Sequence, residues 1–180
     1  MESKFCHVCG GKLATSKGNS QWCEQCQQDY YFNPRPCIEM ILFNEAGEVL
    51  VSERGQEPAK GMSDIPGGFV DFNETLDEAL EREVKEELGL NPDDYSEPHY
   101  VMSWYGNYPW GKETVKTVMA DFTADLKAGR RPEAKDDVAS VSFVPIDQLS
   151  KQNFSYDGYP EIIKAAQRQA VTTKTGVTSA

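Results

Sequence analysis

The stretch "GGFVDFNETLDEALEREVKEELGL" (residues 67–90) decides the fold of this chain. Its second half has the apolar spacing of an amphipathic helix. Thr75, followed three residues later by Glu78, forms a capping box and predicts the start of that helix. Gly89 is placed to end it, because glycine takes the left-handed backbone conformation readily. The sequence therefore predicts a helix from Thr75 to about Leu88.

Three glutamates, Glu83, Glu86 and Glu87, lie at the margin of the apolar stripe of this helix. At about 100° per residue they share one arc beside the apolar residues. Like charges at this spacing repel, and carboxylates at the edge of a core are costly unless they are neutralised. A hard divalent cation such as Mg²⁺ neutralises them with oxygen ligands. The spacing alone leaves two interpretations open: a metal-binding edge, or a helix edge with its charges in water.

Four of the five cysteines form two pairs with two residues between the partners: Cys6, Cys9, Cys23 and Cys26. In a reducing compartment this spacing is more typical of a zinc site than of disulfides. Residues 1–33 are too few to bury a core, so Zn²⁺ ligation would supply the folding energy. The sequence predicts a small zinc ribbon over residues 1–33, ending at the stiff segment "NPRP". The fifth cysteine, Cys37, is expected to be a small buried hydrophobic residue.

Residues 68–90 resemble the Nudix box, G-x5-E-x7-R-E-U-x-E-E-x-G-U, where U is a bulky aliphatic residue. Every fixed position is filled, by Gly68, Glu74, Arg82, Glu83, Val84, Glu86, Glu87, Gly89 and Leu90. The preceding "DIPGGFV" is similar to the lead-in of that family, and the resemblance extends from about residue 36 to 150. The cysteine-rich segment is similar to the N-terminal ribbon of Nudix enzymes of the NADH pyrophosphatase type.

This resemblance implies an α/β fold: an α/β/α sandwich with a mixed sheet over residues 34–170. A flexible tail is expected over residues 171–180. The pattern of the chain agrees, since strands and helices mix without regular βαβ alternation. The predicted elements, besides the helix of the box, are a hairpin over 37–54, strands over 99–105, 114–126 and 138–146, and a closing helix over 160–170.

The resemblance also implies roles for the box. Glu83, Glu86 and Glu87 correspond to ligands of Mg²⁺ or Mn²⁺, and the backbone carbonyl of Gly68 can join them. Arg82 and Glu74 correspond to an ion pair that fixes the loop against the helix. The implied reaction is hydrolysis of a diphosphate that joins a nucleoside to another group. Metal ions would neutralise developing charge and activate water, and a carboxylate of the cluster could take the proton.

The sequence offers further candidate residues outside the box. Asp137 falls where the family often has Glu, so it is expected to assist catalysis and not to be the sole base. Arg54 is a candidate phosphate contact, with a surface ion pair as the alternative. Aromatic residues that could stack on a base or nicotinamide, or belong to the core, are Trp104, Tyr105, Tyr108 and Trp110.

The substrate stays open at this level. The region "SWYGNYPWG" (residues 103–111) does not match the "SQPWPFPxS" motif of NADH pyrophosphatases. NADH, ADP-ribose, FAD, dinucleotide polyphosphates and capped RNA ends are therefore all candidates. Two alternatives to hydrolysis are a non-catalytic nucleotide sensor, with the ribbon contacting nucleic acid or protein, and an isomerase of prenyl diphosphates. The intact glutamates and the acidic charge disfavour the sensor.

Composition limits the partners. The formal net charge of −11 argues against general binding to nucleic-acid backbones, with capped RNA ends as the exception. No apolar run is long enough to predict a membrane span, and "MESKFCHVCGGK" shows no signal segment. The expected location is cytoplasmic and the expected partner is a nucleotide-linked diphosphate. A homodimer is an open alternative to a monomer.

Overall fold

The computed structural model describes residues 3–15 and 18–175, with side chains described as far as Gln169. A small ribbon comes first in the chain. Its two strands, β1 (Ser20–Cys23) and β2 (Gln28–Tyr31), pair antiparallel. Cys6, Leu13 and Cys23 form its buried centre. Among the described residues of the ribbon this apolar cluster is small, as expected for a segment too short to bury a core of its own.

A seven-stranded mixed sheet between two helices forms the rest of the fold. Its strands are β3 (Arg35–Phe43), β4 (Val49–Arg54), β5 (Ser63–Asp64), β6 (Gly67–Phe69), β7 (His99–Trp110), β8 (Glu113–Asp125) and β9 (Val138–Val144). The helices are α1 (Leu76–Leu88) and α2 (Tyr159–Thr175), with short 3₁₀ turns at Pro92–Asp94 and Ile146–Lys151. The expected α/β/α sandwich with a mixed sheet is confirmed. Within the part of the chain that the structure describes, no helix has both the length and the hydrophobicity needed to span a bilayer.

Helix α1 begins and ends at the predicted signals. The Thr75 hydroxyl accepts a hydrogen bond from the Glu78 N–H (3.2 Å), and the Glu78 carboxylate accepts one from the Thr75 N–H (2.8 Å). At the other end Gly89 has a left-handed φ of 66°, and its N–H donates to the Lys85 carbonyl. Both ends are thus capped by local interactions, which is why the sequence alone located this helix.

The central strand β3 has one face toward each helix. Ile38, Met40 and Leu42 pack with the apolar stripe of α1. Ile41 and Phe43 pack under α2 on the other side of the sheet. Strand β3 pairs in parallel with β8 along its whole length, so side chains at matched positions share a face. This arrangement places α1 and α2 on opposite sides of one strand.

Two elements are longer than predicted. Strand β7 continues past residue 105 to Trp110, because it pairs with β8 as far as Trp110 and Glu113 in one long hairpin. Helix α2 continues to Thr175, five residues past the predicted end of the closing helix at residue 170 and into the expected tail. The chain has no glycine or proline between 161 and 175, and nothing local ends the helix there. Residues 176–180 of the expected tail lie outside the described residues.

The loop before α1 requires glycine at position 67. Gly67 has a φ of 153°, and a Cβ atom there would lie 2.1 Å from the Ile38 carbonyl oxygen. Strand β6 pairs with β3 at this point, with Gly67 opposite Glu39. A side chain would therefore push β6 away from the centre of the sheet.

We expect Gly67→Ala to lower the free energy of unfolding by at least about 2 kcal/mol, since a rigid backbone clash adds to an unfavourable φ. Gly47→Ala, in the turn between β3 and β4, is the matched control: φ is 76°, but nothing lies within 4 Å of its Cβ position. It should cost about 1 kcal/mol. Urea unfolding measures both, and equal losses would contradict the close-approach argument.

Candidate active site

Arg82 joins the loop of the box to its helix. Its Nε and Nη2 donate to the two oxygens of Glu74 at 2.7 and 2.9 Å, and Nη2 also donates to the Phe69 carbonyl. The expected ion pair is therefore present in bidentate form. The hydrogen bonds from Arg82 lower the pKa of Glu74 to about 2. This carboxylate stays ionised at any pH at which the protein would work, so the loop remains tied to α1.

The same guanidinium reaches two of the candidate metal ligands. Arg82 Nη1 donates to Glu83 Oε1 at 2.7 Å and to Glu86 Oε2 at 3.2 Å. Glu83 is largely buried, while about half of the Glu86 side chain is exposed. The two carboxylates thus share one positive charge with Glu74. Three acids on one cation leave the cluster short of positive charge.

Glu87 is the buried member of the cluster, with 7% of its surface exposed. Its Oε2 accepts a hydrogen bond from the Gly67 N–H at 2.9 Å. Burial, with further contributions from the charges of Glu83 and Asp137, raises the pKa of Glu87 to about 9. Burial also raises the pKa of Glu83, although Arg82 opposes it. A divalent cation would remove this penalty, so the donor set fits one.

The glutamates do not converge on one point in this structure. Glu83 and Glu86 turn to Arg82, and Glu87 turns to the loop. Among the described residues, only the four ribbon cysteines form a group of three or more His, Cys, Asp or Glu ligand atoms within 4.8 Å of one another. Glycine at position 68 lets the loop backbone lie close to the Glu83 carboxylate, because a Cβ there would lie 2.3 Å from Glu83 Oε1.

Asp137 lies in the loop before β9 and is exposed. Its backbone carbonyl accepts a hydrogen bond from the Gly55 N–H at 2.7 Å. A small cavity of about 80 Å³ lies between Asp137 and Glu87. The structure therefore places Asp137 beside the box, at the side of the buried glutamate.

A larger cavity of about 460 Å³ adjoins the glycine loop on the α2 side of the sheet. Arg54 and Asp64 line both cavities, so they stand at the junction. Arg54 Nη1 is paired with Asp64, and its Nη2 donates to the Tyr108 hydroxyl at 3.2 Å. The ion pair that was the alternative role for Arg54 is thus present. It lies where the two cavities meet and not on an open surface.

The predicted aromatic residues divide between the cavity and its surroundings. Trp104 lines the cavity and stacks on Tyr156, with ring centroids 4.1 Å apart. Tyr105 and Tyr108 also line it. Trp110 does not line this cavity; it packs edge-on against Phe69 outside it, with a centroid distance of 5.6 Å. Three of the four aromatic candidates are therefore brought to the cavity.

Three buried polar residues near the cavity lie outside the motif: Glu39, Asp121 and Tyr159. The Tyr159 hydroxyl donates to Glu39 Oε1 at 2.6 Å, and Trp104 Nε1 donates to Asp121 Oδ1 at 3.2 Å. The one available sequence signal was Glu39 itself, a charged residue in the apolar run "CIEMILF". Asp121 and Tyr159 carry no such signal, because Asp121 lies at a polar position of an alternating strand and Tyr159 lies at the start of a helix after a loop.

The ribbon cysteines form a second candidate site. The Sγ atoms of Cys6 and Cys26 lie 3.8 Å apart, and those of Cys9 and Cys23 lie 3.6 Å apart. These separations are too long for disulfide bonds, which measure about 2.05 Å. The four sulfur atoms all lie within 4.8 Å of one another, as ligands of one metal ion would.

Comparisons with known proteins agree with this geometry. "NAD-capped RNA hydrolase NudC" of Klebsiella pneumoniae is 30% identical over 149 residues, covering 81% of this chain and 53% of the relative. That of Citrobacter koseri is 31% identical over 129 residues, covering 70% and 45%. This chain thus spans about half the length of the curated relatives it matches.

Solved structures share the fold. A NUDIX hydrolase from Nitrosomonas europaea has a TM-score of 0.65 at 22% identity, covering 98% of this chain and 96% of that one. The NUDIX domain of Shewanella oneidensis NrtR, complexed with ADP ribose, has a TM-score of 0.64 at 17% identity, covering 83% and 94%. The NUDIX domain family profile matches residues 33–165. With the box, its ion pair and the sandwich all in place, the chain belongs to the Nudix family.

Proposed function

We propose that this protein hydrolyses a diphosphate bond in a nucleoside diphosphate linked to another group, with Mg²⁺ or Mn²⁺ as the metal. The observation that carries the proposal is the juxtaposition of two features. Buried, under-neutralised glutamates lie on one side of the Gly67–Gly68 loop, and an aromatic cavity lies on the other. A metal-bound diphosphate at the loop would leave its organic group beside the cavity. The curated relatives are named for the hydrolysis of NAD-capped RNA, and this name supports a nucleotide-linked diphosphate as the class of substrate.

Glu83, Glu86, Glu87 and the Gly68 carbonyl would hold the metal ions. When bound, such ions neutralise charge on the diphosphate and lower the pKa of an attacking water. Arg54, fixed between the two cavities by Asp64 and Tyr108, would contact a phosphate oxygen. A carboxylate of the box would take the proton from water, and Asp137 would assist through a hydrogen bond beside Glu87.

The test of this function is a phosphate-release screen of nucleotide-linked diphosphates with Mg²⁺ and with Mn²⁺. We expect turnover of at least one of NADH, ADP-ribose, FAD, a dinucleotide polyphosphate or a capped RNA. Binding of such a compound without turnover of any would favour the sensor alternative and overturn the proposal.

Substitutions in the box should separate the metal ligands from other helix acids. Glu86→Gln and Glu87→Gln should each lower kcat by at least about 10²-fold at saturating metal, because metal ligation in the transition state weakens. The matched control is Glu81→Gln, on the exposed face of α1, which should change kcat little. Asp137→Asn should cost about 10-fold or less. If Asp137→Asn fell as far as the box variants, the base would lie in the loop before β9.

We further propose that the ribbon holds one structural Zn²⁺ through Cys6, Cys9, Cys23 and Cys26. A tetrahedral ion with Zn–S bonds of about 2.3 Å requires sulfur–sulfur separations of roughly 3.8 Å. The pairs measured above, at 3.6 and 3.8 Å, agree with that value. The apolar cluster of the ribbon is small, with Leu13 and Tyr30 beside the cysteines among its described residues, so a bound ion would add most to its stability.

Metal analysis of the purified protein should find about one zinc per chain, and Cys23→Ser should lose it because a thiolate ligand is removed. Cys37→Ala is the matched control, since Cys37 is buried but lies outside the cluster, and it should keep the zinc. Less than about half an equivalent of zinc in a protein whose ribbon remains folded would refute the assignment.

A further inference from the structure

Two aromatic rings lie flat against each other on the wall of the larger cavity. Trp104 on β7 and Tyr156 in the loop before α2 both line it, with ring centroids 4.1 Å apart and ring planes 1° from parallel. A planar group that stacks on an aromatic side chain adopts this arrangement, whether it belongs to the protein or to a ligand. Tyr156 therefore covers a face of Trp104 on which a nucleobase could stack.

Trp104 is the fixed member of the pair. Its Nε1 donates to Asp121 Oδ1 at 3.2 Å, and its side chain packs against the core under α2. Its ring also lies edge-on to Tyr159, with a centroid distance of 6.4 Å. An aromatic ring that is held on a strand by packing and by a hydrogen bond is preorganised as a stacking surface.

Tyr156 is the member of the pair that can move. It is 39% exposed, although the residues around it are anchored. The Ser155 N–H donates to the Ser63 carbonyl at 2.8 Å, and Tyr159 is 4% exposed. Rotation of the Tyr156 side chain alone would therefore uncover Trp104, without any opening of the loop.

Gly158 leaves the space that the Tyr156 ring occupies. A Cβ atom at position 158 would lie 2.3 Å from Tyr156 Cε1 and 2.7 Å from its Cζ. The φ of Gly158 lies outside the left-handed region, so alanine fits the backbone there. The clash would be with the end of a side chain and not with backbone, so the ring would move. Alanine at position 158 should therefore displace Tyr156 from Trp104 while the chain keeps both aromatic residues.

The stacked pair adjoins the proposed phosphate contact. The Ser155 hydroxyl, on the residue before Tyr156, donates to Asp64 Oδ1 at 3.1 Å. Asp64 is the ion-pair partner of Arg54, and Arg54, Trp104 and Tyr156 all line the same cavity. A nucleotide with a phosphate at Arg54 would therefore have its base in the cavity that contains the stacked rings.

We propose that the face of Trp104 covered by Tyr156 is the stacking site for the nucleobase of the ligand, and that the base displaces the Tyr156 ring when it binds. A base stacks on an aromatic side chain at least as strongly as two aromatic side chains stack on each other, so the exchange is favourable. Tyr156 competes with the base, and it weakens binding in proportion to the time that it covers Trp104. The inference rests on the proposed function for the position of the diphosphate at the glycine loop.

A permanent stack is the competing explanation. Tyr156 would then be a fixed part of the cavity wall, and its removal would weaken the binding of a nucleotide or leave it unchanged. The two explanations therefore differ in the sign of one measurement. If the base displaces Tyr156, a variant without this ring binds the nucleotide more tightly than the wild-type protein does.

The test measures the binding of two compounds by calorimetry with Mg²⁺. One is α,β-methylene-ADP, whose bridge between the phosphorus atoms cannot be hydrolysed, and the other is methylenediphosphonate, which has the same bridge and no base. Tyr156→Ala should tighten the binding of α,β-methylene-ADP by about 3- to 10-fold and leave that of methylenediphosphonate unchanged, because only a base competes with the ring. Trp104→Ala should weaken the binding of α,β-methylene-ADP by at least about 5-fold.

Gly158→Ala should tighten the binding of α,β-methylene-ADP as Tyr156→Ala does. The double variant should bind no more tightly than Tyr156→Ala alone, since both changes remove the same contact. Tyr100→Ala is the matched control: Tyr100 is an exposed tyrosine on the same strand as Trp104 and does not line the cavity. It should change the binding of neither compound.

Thermal unfolding shows whether each variant is folded, and Gly158→Ala decides the question if Tyr156→Ala is not. Weaker, unchanged or undetectable binding of α,β-methylene-ADP in the folded variants overturns the inference. Tighter binding of methylenediphosphonate overturns it as well, because the effect would then not come from a base. The phosphate-release screen separates the inference from the proposed function. The expected change in binding without turnover of any compound would overturn hydrolysis and retain the stacking site, and turnover without that change would do the reverse.

Discussion

The hydrogen bonds of Arg82 are the constraint on which the site depends. One guanidinium holds both oxygens of Glu74, the Phe69 carbonyl and the carboxylates of Glu83 and Glu86. Hydrogen bonds to charged groups contribute about 1.5–3 kcal/mol each, and here several are shared by one side chain. They fix the glycine loop against α1, and the loop in turn sets the position of β6 beside β3. A lysine could not replace this residue, because its ammonium cannot reproduce the planar bidentate contact.

The alternation of β3 separates structure from recognition. The residues facing α1 are apolar and form the core under that helix. On the other face Ile41 and Phe43 pack under α2, while Cys37 and Glu39 line the cavity near the glycine loop. One strand thus supports the helix of the box on one side and lines the larger cavity on the other. The Gly67–Gly68 backbone lies between the box glutamates and the cavity. A Cβ atom at either glycine would clash with its neighbours.

Negative charge dominates the site as well as the whole chain. The charges of Glu83 and Asp137 add to the burial that raises the pKa of Glu87. The Glu39–Asp121 pair places two further acids on the other side of the glycine loop. A phosphate-bearing ligand would be repelled by this field without metal ions. Divalent cations reverse the local field, so the same acids that repel a bare diphosphate attract a metal-bound one. Under the proposed function, affinity for the substrate and affinity for the metal would therefore be coupled.

Local interactions let the sequence determine α1, its two caps, the Arg82–Glu74 pair and the paired cysteines. Each of these depends on residues close in the chain or on a spacing that only one geometry satisfies. The resemblance to the Nudix box implied the family and the sandwich, and both are confirmed. Local interactions did not determine the extension of β7, because it depends on pairing with β8 along the whole hairpin. They did not determine the extension of α2, because no local signal ends the helix at residue 170.

Only the tertiary structure decided which residues share the cavity. Glu39, Asp121 and Tyr159 are separated by up to 120 positions and meet because β3 and β8 pair in parallel and α2 packs across them. The same packing brought Trp104, Tyr105 and Tyr108 to the cavity and left Trp110 against Phe69 outside it. The alternation of strand residues shows that two faces exist, but it does not show what covers each face. Burial, and with it the identity of a polar site, is a property of the assembled sheet and helices.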